Sequence, residues 1–155
     1  MDYRPITPQD YGRFHRLANA YYREGADAAT PQEEIDAFIR FLFENITAGE
    51  IHGCFAVLDG ADAGFALYAA DTPAFPFSQL PGYGTIVEIG LLTGYRGTGD
   101  GKALVAFLET CLRRNGITRC YVTAYGPAES FWSHCGYVRN GSTGTNGLPI
   151  MTKHI

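Results

Sequence analysis

The segment Gly94-Tyr95-Arg96-Gly97-Thr98-Gly99-Asp100-Gly101-Lys102-Ala103-Leu104 decides how the rest of the chain is read. Before it lies an apolar run, Ile86-Val87-Glu88-Ile89-Gly90-Leu91-Leu92, which predicts a buried strand. After it, Ala103-Leu104-Val105, Phe107-Leu108 and Cys111-Leu112 recur at helical spacing and predict a helix with one apolar stripe. Alternating glycines therefore stand at a strand-to-helix turn. Glycine lets main-chain amides turn outward and lets a ligand approach the backbone closely. The first turn of a helix adds unpaired N–H donors and a partial positive charge. Strand, glycines and helix in this order predict an anion site, for phosphate above all. A Gly-rich turn with no ligand is the plainer alternative.

Two common phosphate loops do not fit. A Walker A loop needs Gly five residues before its Gly-Lys pair and Ser or Thr after it; here Arg96 and Ala103 hold those places. A dinucleotide fingerprint needs Gly-x-Gly-x-x-Gly. After Gly97-Thr98-Gly99 the next glycine, Gly101, comes one residue too early, and Leu104 stands where Gly99-Asp100-Gly101 would need one.

The pattern that does fit is Arg-x-x-Gly-x-Gly, as Arg96-Gly97-Thr98-Gly99-Asp100-Gly101. It resembles the acyl-CoA pyrophosphate loop of the GNAT superfamily of N-acetyltransferases, as do the flanking Tyr95 and Ala103-Leu104. Further along, Ala128-x-x-Phe131-Trp132-x-x-x-Gly136-Tyr137 is similar to that family's second motif, Ala-x-x-Phe-Tyr-x-x-x-Gly-Phe, and Met151-Thr152-Lys153 is similar to its usual ending. The resemblance is strongest from Ile86 to Tyr137; from Met1 to Gly84 only the order of elements supports it.

Composition narrows the classes. The chain has 155 residues, enough to bury a good core as one domain spanning 1–155. It is 46% hydrophobic and 18% charged, which is globular rather than disordered. Net charge is −4 with no Lys/Arg cluster, so neither nucleic acid nor an anionic membrane is expected as a partner. Asp2 and Arg4 interrupt any apolar start, so no signal peptide is expected, and no apolar run reaches the length of a membrane span. Cys54, Cys111, Cys120 and Cys135 form no Cys-x-x-Cys pair and read as buried free thiols in a reducing cytoplasm. His15, His52, His134 and His154 show no metal-ligand spacing, so no metal is expected.

Periodicity and turn residues order the remaining elements. Asp2 to Ile6 predicts a first strand, and Thr7 with Pro8 and Gln9-Asp10 caps a helix running to about Arg23. Gly25 to Ala29 is a loop. Thr30-Pro31-Gln32-Glu33 starts a second helix that ends near Gly49. His52 to Leu58 and Ala63 to Ala70 flank Asp59-Gly60-Ala61-Asp62 as a hairpin. The 71–84 stretch is a long loop whose aromatics argue against plain disorder. After the Asn115-Gly116 helix stop come a strand from Ile117 to Ala124, a break at Gly126-Pro127, a short helix from Ala128 to His134, and a final antiparallel pair from Val138 onward. The order β-α-α-β-β-β-α-β-α-β-β is that of the GNAT fold. The fold class expected is α/β (α+β), with a mixed, mostly antiparallel central sheet flanked by helices.

The resemblance implies an acetyl-CoA-dependent N-acetyltransferase that moves an acetyl group to a primary amine by direct attack on the thioester. It assigns the pyrophosphate to the backbone of Arg96, Gly97, Thr98, Gly99, Asp100 and Gly101, with Lys102 nearby. Arg96 would add a charge-assisted contact, or be an ordinary surface arginine. In the family the strand at Glu88 to Leu92 splays from its neighbour to open a slot for pantetheine, and Gly90 is consistent with a bulge there. A main-chain amide near Leu91 or Leu92 would then polarise the thioester carbonyl.

A protonated alkyl amine has a pKa of about 10.4, so freeing its lone pair at neutral pH costs roughly 4.6 kcal/mol, and a base is worth having. Glu88 is the candidate. It is the one charged residue in its apolar run, several family members carry a Glu on this strand, and burial among Ile, Val and Leu should raise its pKa. An edge-facing Glu or a structural partner to Arg are the alternatives, since a one-residue slip turns it away. The leaving thiol, with a pKa of about 8.5, needs an acid less. Where the family often has Tyr this chain has Trp132, which cannot be that acid. Tyr125 is the replacement, or merely packs on CoA or the core; Ser133 and His134 are weaker options, and Cys135 as an acyl-accepting nucleophile is weaker still.

The acceptor side is drawn from Tyr21, Tyr22, Glu24, Asp27, Phe75 and Phe77, aromatics and carboxylates that suit a cationic amine. Core or dimer contacts are the plainer reading for any one of them. A small-molecule or peptide amine is the expected partner, and homodimerisation follows family habit. The alternative function is a non-catalytic CoA-binding regulatory or sensor domain of the same fold, favoured by Trp132. A third is an interaction domain with an empty Gly-rich turn.

Overall fold

In the computed structural model, residues 1–25 and 27–155 are described; Ala26, within the loop expected at 25–29, lies outside the described residues. The elements are β1 (Asp2–Pro5), α1 (Tyr11–Glu24), α2 (Gln32–Thr47), β2 (His52–Leu58), β3 (Ala61–Ala70), β4 (Gly84–Leu91), α3 (Asp100–Arg114), β5 (Arg119–Thr123), α4 (Glu129–His134), β6 (Val138–Thr143) and β7 (Pro149–His154). Short 3-10 turns at Thr93–Tyr95 and Gly126–Ala128 precede α3 and α4. The order is the one expected. The strands form a seven-stranded sheet in the order β1-β2-β3-β4-β5-β7-β6. β1–β2, β5–β7 and β6–β7 are antiparallel, and β4 pairs in parallel with β5 at Gly84↔Cys120 and Thr85↔Tyr121.

The boundaries depart from expectation where local polar chemistry intervenes. α1 does not start after Pro8, because the Asp10 carboxylate accepts from both the N–H and the hydroxyl of Thr7 at 2.8 Å, closing a turn before the helix. α2 has Pro31, not Thr30, at its N-cap place. The hairpin turn is only Asp59-Gly60, both in the left-handed region at φ 51° and 80°. Two such residues complete the turn, so Ala61 and Asp62 join β3. Of the four thiols, Cys54, Cys120 and Cys135 are buried as expected, while Cys111 is half-buried, and none of the four is in a disulfide.

The chain divides into two compact units. The first comprises Met1–Leu67 and Glu88–Gly101. Its core is aromatic: Phe14 of α1 stacks on Phe43 of α2 at 5.8 Å and meets the Phe65 ring of β3 edge-on at 5.4 Å. Gly64 and Gly90 let β3 and β4 press together, since a Cβ on Gly64 would lie 2.3 Å from the Gly90 carbonyl oxygen. The second unit comprises Tyr68–Val87 and Lys102–Ile155. Leu104, Leu108 and Leu112 of α3 are buried on its apolar stripe, and Gly84 admits the Leu112 side chain. Its long loop is pinned by Asp71, whose Oδ2 accepts from the Tyr121 hydroxyl at 2.7 Å and from the Gln79 and Leu80 amides at 2.9 Å. That clamp, with Phe75 buried beside Phe77, is why a loop of this length is ordered.

Candidate active site

Glu88 lies on β4 within the first unit, half-buried. Tyr21 and Tyr22 at the end of α1 both turn to it: the Tyr21 hydroxyl donates to Oε1 and the Tyr22 hydroxyl to Oε2, each at 3.2 Å. Burial pushes the Glu88 carboxyl up to about 7, against the two phenols, which favour its charged form. Burial and the Glu88 charge raise both phenols, so they stay protonated donors. The result is a carboxylate that changes charge near neutrality with both oxygens oriented, which is what a general base requires.

The turn after β4 is anchored differently from expectation. Arg96 is held within its own turn while its side chain stays 45% exposed: its Nε donates to the Leu91 carbonyl at 2.7 Å, its Nη2 lies 3.5 Å from Glu24 Oε2, and its guanidinium sits 5.9 Å over the Tyr21 ring. Glu24, expected on the acceptor side, also accepts from the Thr93 amide and hydroxyl at 3.0 and 2.9 Å. Glu24 and Arg96 thus brace the turn from α1.

Beyond Arg96 the backbone is open. Gly97 and Gly99 adopt φ of 80° and 86°, and a Cβ on either would meet nothing within 4 Å. Gly97, Thr98 and Gly99 are exposed, and among the described residues their amides donate to no main-chain carbonyl. Thr98 donates its hydroxyl to Asp100, the first residue of α3. Gly101 and the exposed Lys102 follow in the first helical turn, where amides have no intrahelical acceptor. Free donors, left-handed glycines and a helix start fit a pyrophosphate; the Asp100 carboxylate is the one group there that would repel it.

The two amides expected to face a thioester part company. The Leu92 N–H donates to the Ala63 carbonyl at 2.9 Å, so it is committed to the β3 side. Successive amides of a strand point to opposite edges, so that of buried Leu91 is directed away from β3.

In the second unit, Tyr125 follows β5 and is 51% exposed, with no hydrogen-bond partner for its phenol among the described residues. Trp132 on α4 is buried edge-on against Phe131 at 5.1 Å and Tyr137 at 5.4 Å, a core role. Ser133 and His134 are exposed, and buried Cys135 has its thiol pushed up by burial. Phe75, expected to line the acceptor side, is buried core instead.

A family model described as the Acetyltransferase (GNAT) family matches residues 13–137. The chain belongs to the GNAT acetyltransferases. No curated protein matches the chain by sequence. Solved structures share the GNAT fold. The PaiA N-acetyltransferase of Thermoplasma acidophilum, in complex with coenzyme A, is 16% identical with a TM-score of 0.73 over 100% of both chains. An acetyltransferase of Thermus thermophilus is 19% identical, TM-score 0.73, over 99% of this chain and 96% of that one. AAC(6')-Ib, in complex with paromomycin and acetyl-CoA, is 17% identical, TM-score 0.70, over 99% and 94%.

For this GNAT acetyltransferase the sequence singled out Glu88 but not the roles of its neighbours. Tyr21 and Tyr22 stood among the acceptor-lining candidates, and in the structure they hold the carboxylate. Adjacent tyrosines at a helix end carry no signal for that; only the fold brings them to β4. Among the described residues no group of three or more His, Cys, Asp or Glu could hold a metal ion, and no helix is long and apolar enough to cross a membrane.

Proposed function

We propose that the chain, acting as one domain over 1–155, is an acetyl-CoA-dependent N-acetyltransferase that acetylates a primary amine by direct attack, with Glu88 as general base. The observation that carries this reading is the Glu88 carboxyl, held by Tyr21 and Tyr22 and pushed up to about 7. When bound, acetyl-CoA supplies the acyl group as a thioester. The amides of Gly97 to Gly101, with Lys102, hold its pyrophosphate, and the Arg96 side chain braces that loop. The Leu91 amide faces the acyl carbonyl oxygen, a role the Leu92 amide cannot share. Glu88 takes the proton of the ammonium group, the nitrogen–carbon bond forms and the carbon–sulfur bond breaks. Exposed Tyr125 gives its proton to the departing thiolate, and the second proton that the nitrogen sheds as the amide forms passes through water to restore that phenol. A cytoplasmic setting accords with four cysteines outside any disulfide.

The competing reading is a CoA-binding sensor domain without turnover, favoured by buried Trp132 at the family's Tyr position. One experiment separates them. Thermal unfolding is followed with and without acetyl-CoA for the wild type and a Gly99→Glu/Gly101→Glu variant, and thiol release is followed across an amine panel for the wild type and Glu88→Gln. At 100 times the dissociation constant, ligand should stabilise the wild type by about 2.7 kcal/mol and leave the loop variant unmoved. Turnover lost about 10²–10⁴-fold in Glu88→Gln, with the acetyl-CoA shift retained, supports the enzyme. A shift without turnover in the wild type supports the sensor, and no shift removes both.

A further inference from the structure

If Glu88 is the base, a neighbouring cavity bears on which amines reach it. The cavity, of about 230 Å³, is lined by Tyr22, Asp27, Thr30, Glu34, Ile35 and Phe38. Tyr22 is common to both places: its ring lines the cavity and its hydroxyl is 3.2 Å from Glu88 Oε2. Across from it, Phe38 stands one helical turn beyond Glu34 on α2, with its ring 5.8 Å from that of Tyr22.

The remaining side is a built turn. The Thr30 amide donates to the Asp27 carbonyl at 3.0 Å, and Arg23 Nη1 donates to the Ala28 and Thr30 carbonyls at 3.0 and 2.6 Å. The rest of the Arg23 guanidinium is taken by Gln32 Oε1 at 3.2 and 2.8 Å. Among the described residues no Lys or Arg lines the cavity. Among the described residues, the Asp27 and Glu34 carboxylates have neither an ion pair nor a hydrogen bond.

Two aromatic side chains and two carboxylates lining one cavity suit a cation on an apolar stem. An aromatic ring attracts a cation over its face through its quadrupole, and a carboxylate attracts it through charge. A neutral or anionic group gains neither contribution. Burial is the chief reason the Glu88 carboxyl is pushed up, and the charge of Asp27 adds to it, so the two carboxylates belong to one electrostatic neighbourhood.

We propose that this cavity holds a second positive charge of the acceptor, so that the acceptor is an amine bearing two cationic groups. One is acetylated over Glu88; the other is held by Asp27, Glu34, Tyr22 and Phe38. The assignment rests on the acetyl-transfer reading for the first group and on the cavity alone for the second.

The test measures binding apart from turnover. α,ω-Diaminoalkanes of graded length and the 1-aminoalkanes of equal carbon count are titrated by calorimetry into the full chain saturated with coenzyme A, for the wild type and Asp27→Asn/Glu34→Gln. For at least one length the diamine should bind the wild type about tenfold tighter than its matched monoamine, and the double variant should lose most of that preference. Equal affinity for every matched pair, binding of neither amine, or a preference surviving in the double variant overturns the proposal. Thiol release from acetyl-CoA with the same amines reports on the base. Selective binding with no thiol release would sink the transfer reading and leave the cation site standing; thiol release with no selectivity would do the reverse.

Discussion

The phenol of Tyr21 donates to Glu88 Oε1 at 3.2 Å, while Tyr22 takes the other oxygen, so one helix end holds both oxygens of one carboxylate. Hydrogen bonds to the charged form work against burial, and burial is the larger influence on Glu88. Removing a donor therefore lets burial push the carboxyl further up. Tyr21→Phe should move the acid limb of kcat/KM from near pH 7 to higher pH, with activity recovering toward the wild type above the new limb. A pH–rate profile measures this; a limb that stays in place would mean another group sets it.

The same carboxyl makes a stability prediction of definite sign. Its value in the folded protein, about 7, stands above the ordinary 4.5, so the folded chain binds that proton more tightly than the unfolded chain does. The contribution is fully present below about pH 4.5 and is lost as pH rises through about 7. Glu88→Gln has no such proton. Relative to the wild type it should gain stability across that window, measured by urea unfolding at several pH values, while losing turnover. A stability difference that does not change with pH would place the carboxyl back in water.

Gly64 should be the least replaceable glycine beside the site. A Cβ there would lie 2.3 Å from the Gly90 carbonyl oxygen and 2.8 Å from the Leu91 Cα, and backbone cannot turn aside. A Cβ on Gly90 meets the Phe65 ring at 2.5 Å, a side chain with some freedom to give. Overpacking costs roughly 1–3 kcal/mol. Gly64→Ala should sit at the top of that range or beyond and lower Tm by about 10 °C, with Gly90→Ala milder. Because Gly64→Ala also displaces the Leu91 backbone, its turnover should fall by more than its unfolded fraction explains. Equal Tm values for the two variants would refute the backbone argument.

What was legible in the sequence was local. Helical spacing in Ile35 to Ile46, the Asp59-Gly60 turn and the glycine-punctuated turn before α3 each declare themselves within a few residues, so the order of elements could be read. Glu88 was legible because a lone charge in an apolar run has few explanations. Its partners were not: Tyr21 is 67 residues away in the chain, and only tertiary packing makes the contact. The anchoring of Arg96 was not legible either, because sequence reports a charge and not where it points; here the Leu91 carbonyl and Glu24 hold it. Of the two readings open for Phe75, acceptor lining or core, the structure shows core, because Asp71 pins the loop.

Asp71 supplies the acid-side counterpart to Glu88. Burial alone would raise its carboxyl, but donors from Ser78, Tyr121 and the Gln79 and Leu80 amides hold it below the usual carboxylate range. A lowered value in the folded state gives stability that is present above the ordinary 3.8 and is lost as pH falls through the folded value. Asp71→Asn should therefore cost most at neutral pH and little at the acid end, flattening the acid limb of the stability curve. A parallel offset from the wild type at every pH would mean the loop does not depend on that charge.

Within the second unit, α3 and β7 are joined by a buried ion pair. Lys153 Nζ lies 2.9 and 3.0 Å from the two oxygens of Glu109, whose side chain is 5% exposed, and the Tyr137 hydroxyl donates to Oε1 at 3.1 Å. Replacing such a pair whole is often nearly neutral, whereas removing one partner strands a buried charge at about 3–5 kcal/mol. Lys153 is itself 28% exposed, so water can offset part of that loss and the lower end applies. Lys153→Met alone should cost about 3 kcal/mol in urea unfolding. Adding Glu109→Gln removes the stranded charge while its amide oxygen still accepts from Tyr137, and should recover most of the loss. Additive losses in the double variant would show that the two side chains act independently, with Lys153 contributing mainly by packing its stem against Gly136 and the Tyr137 ring.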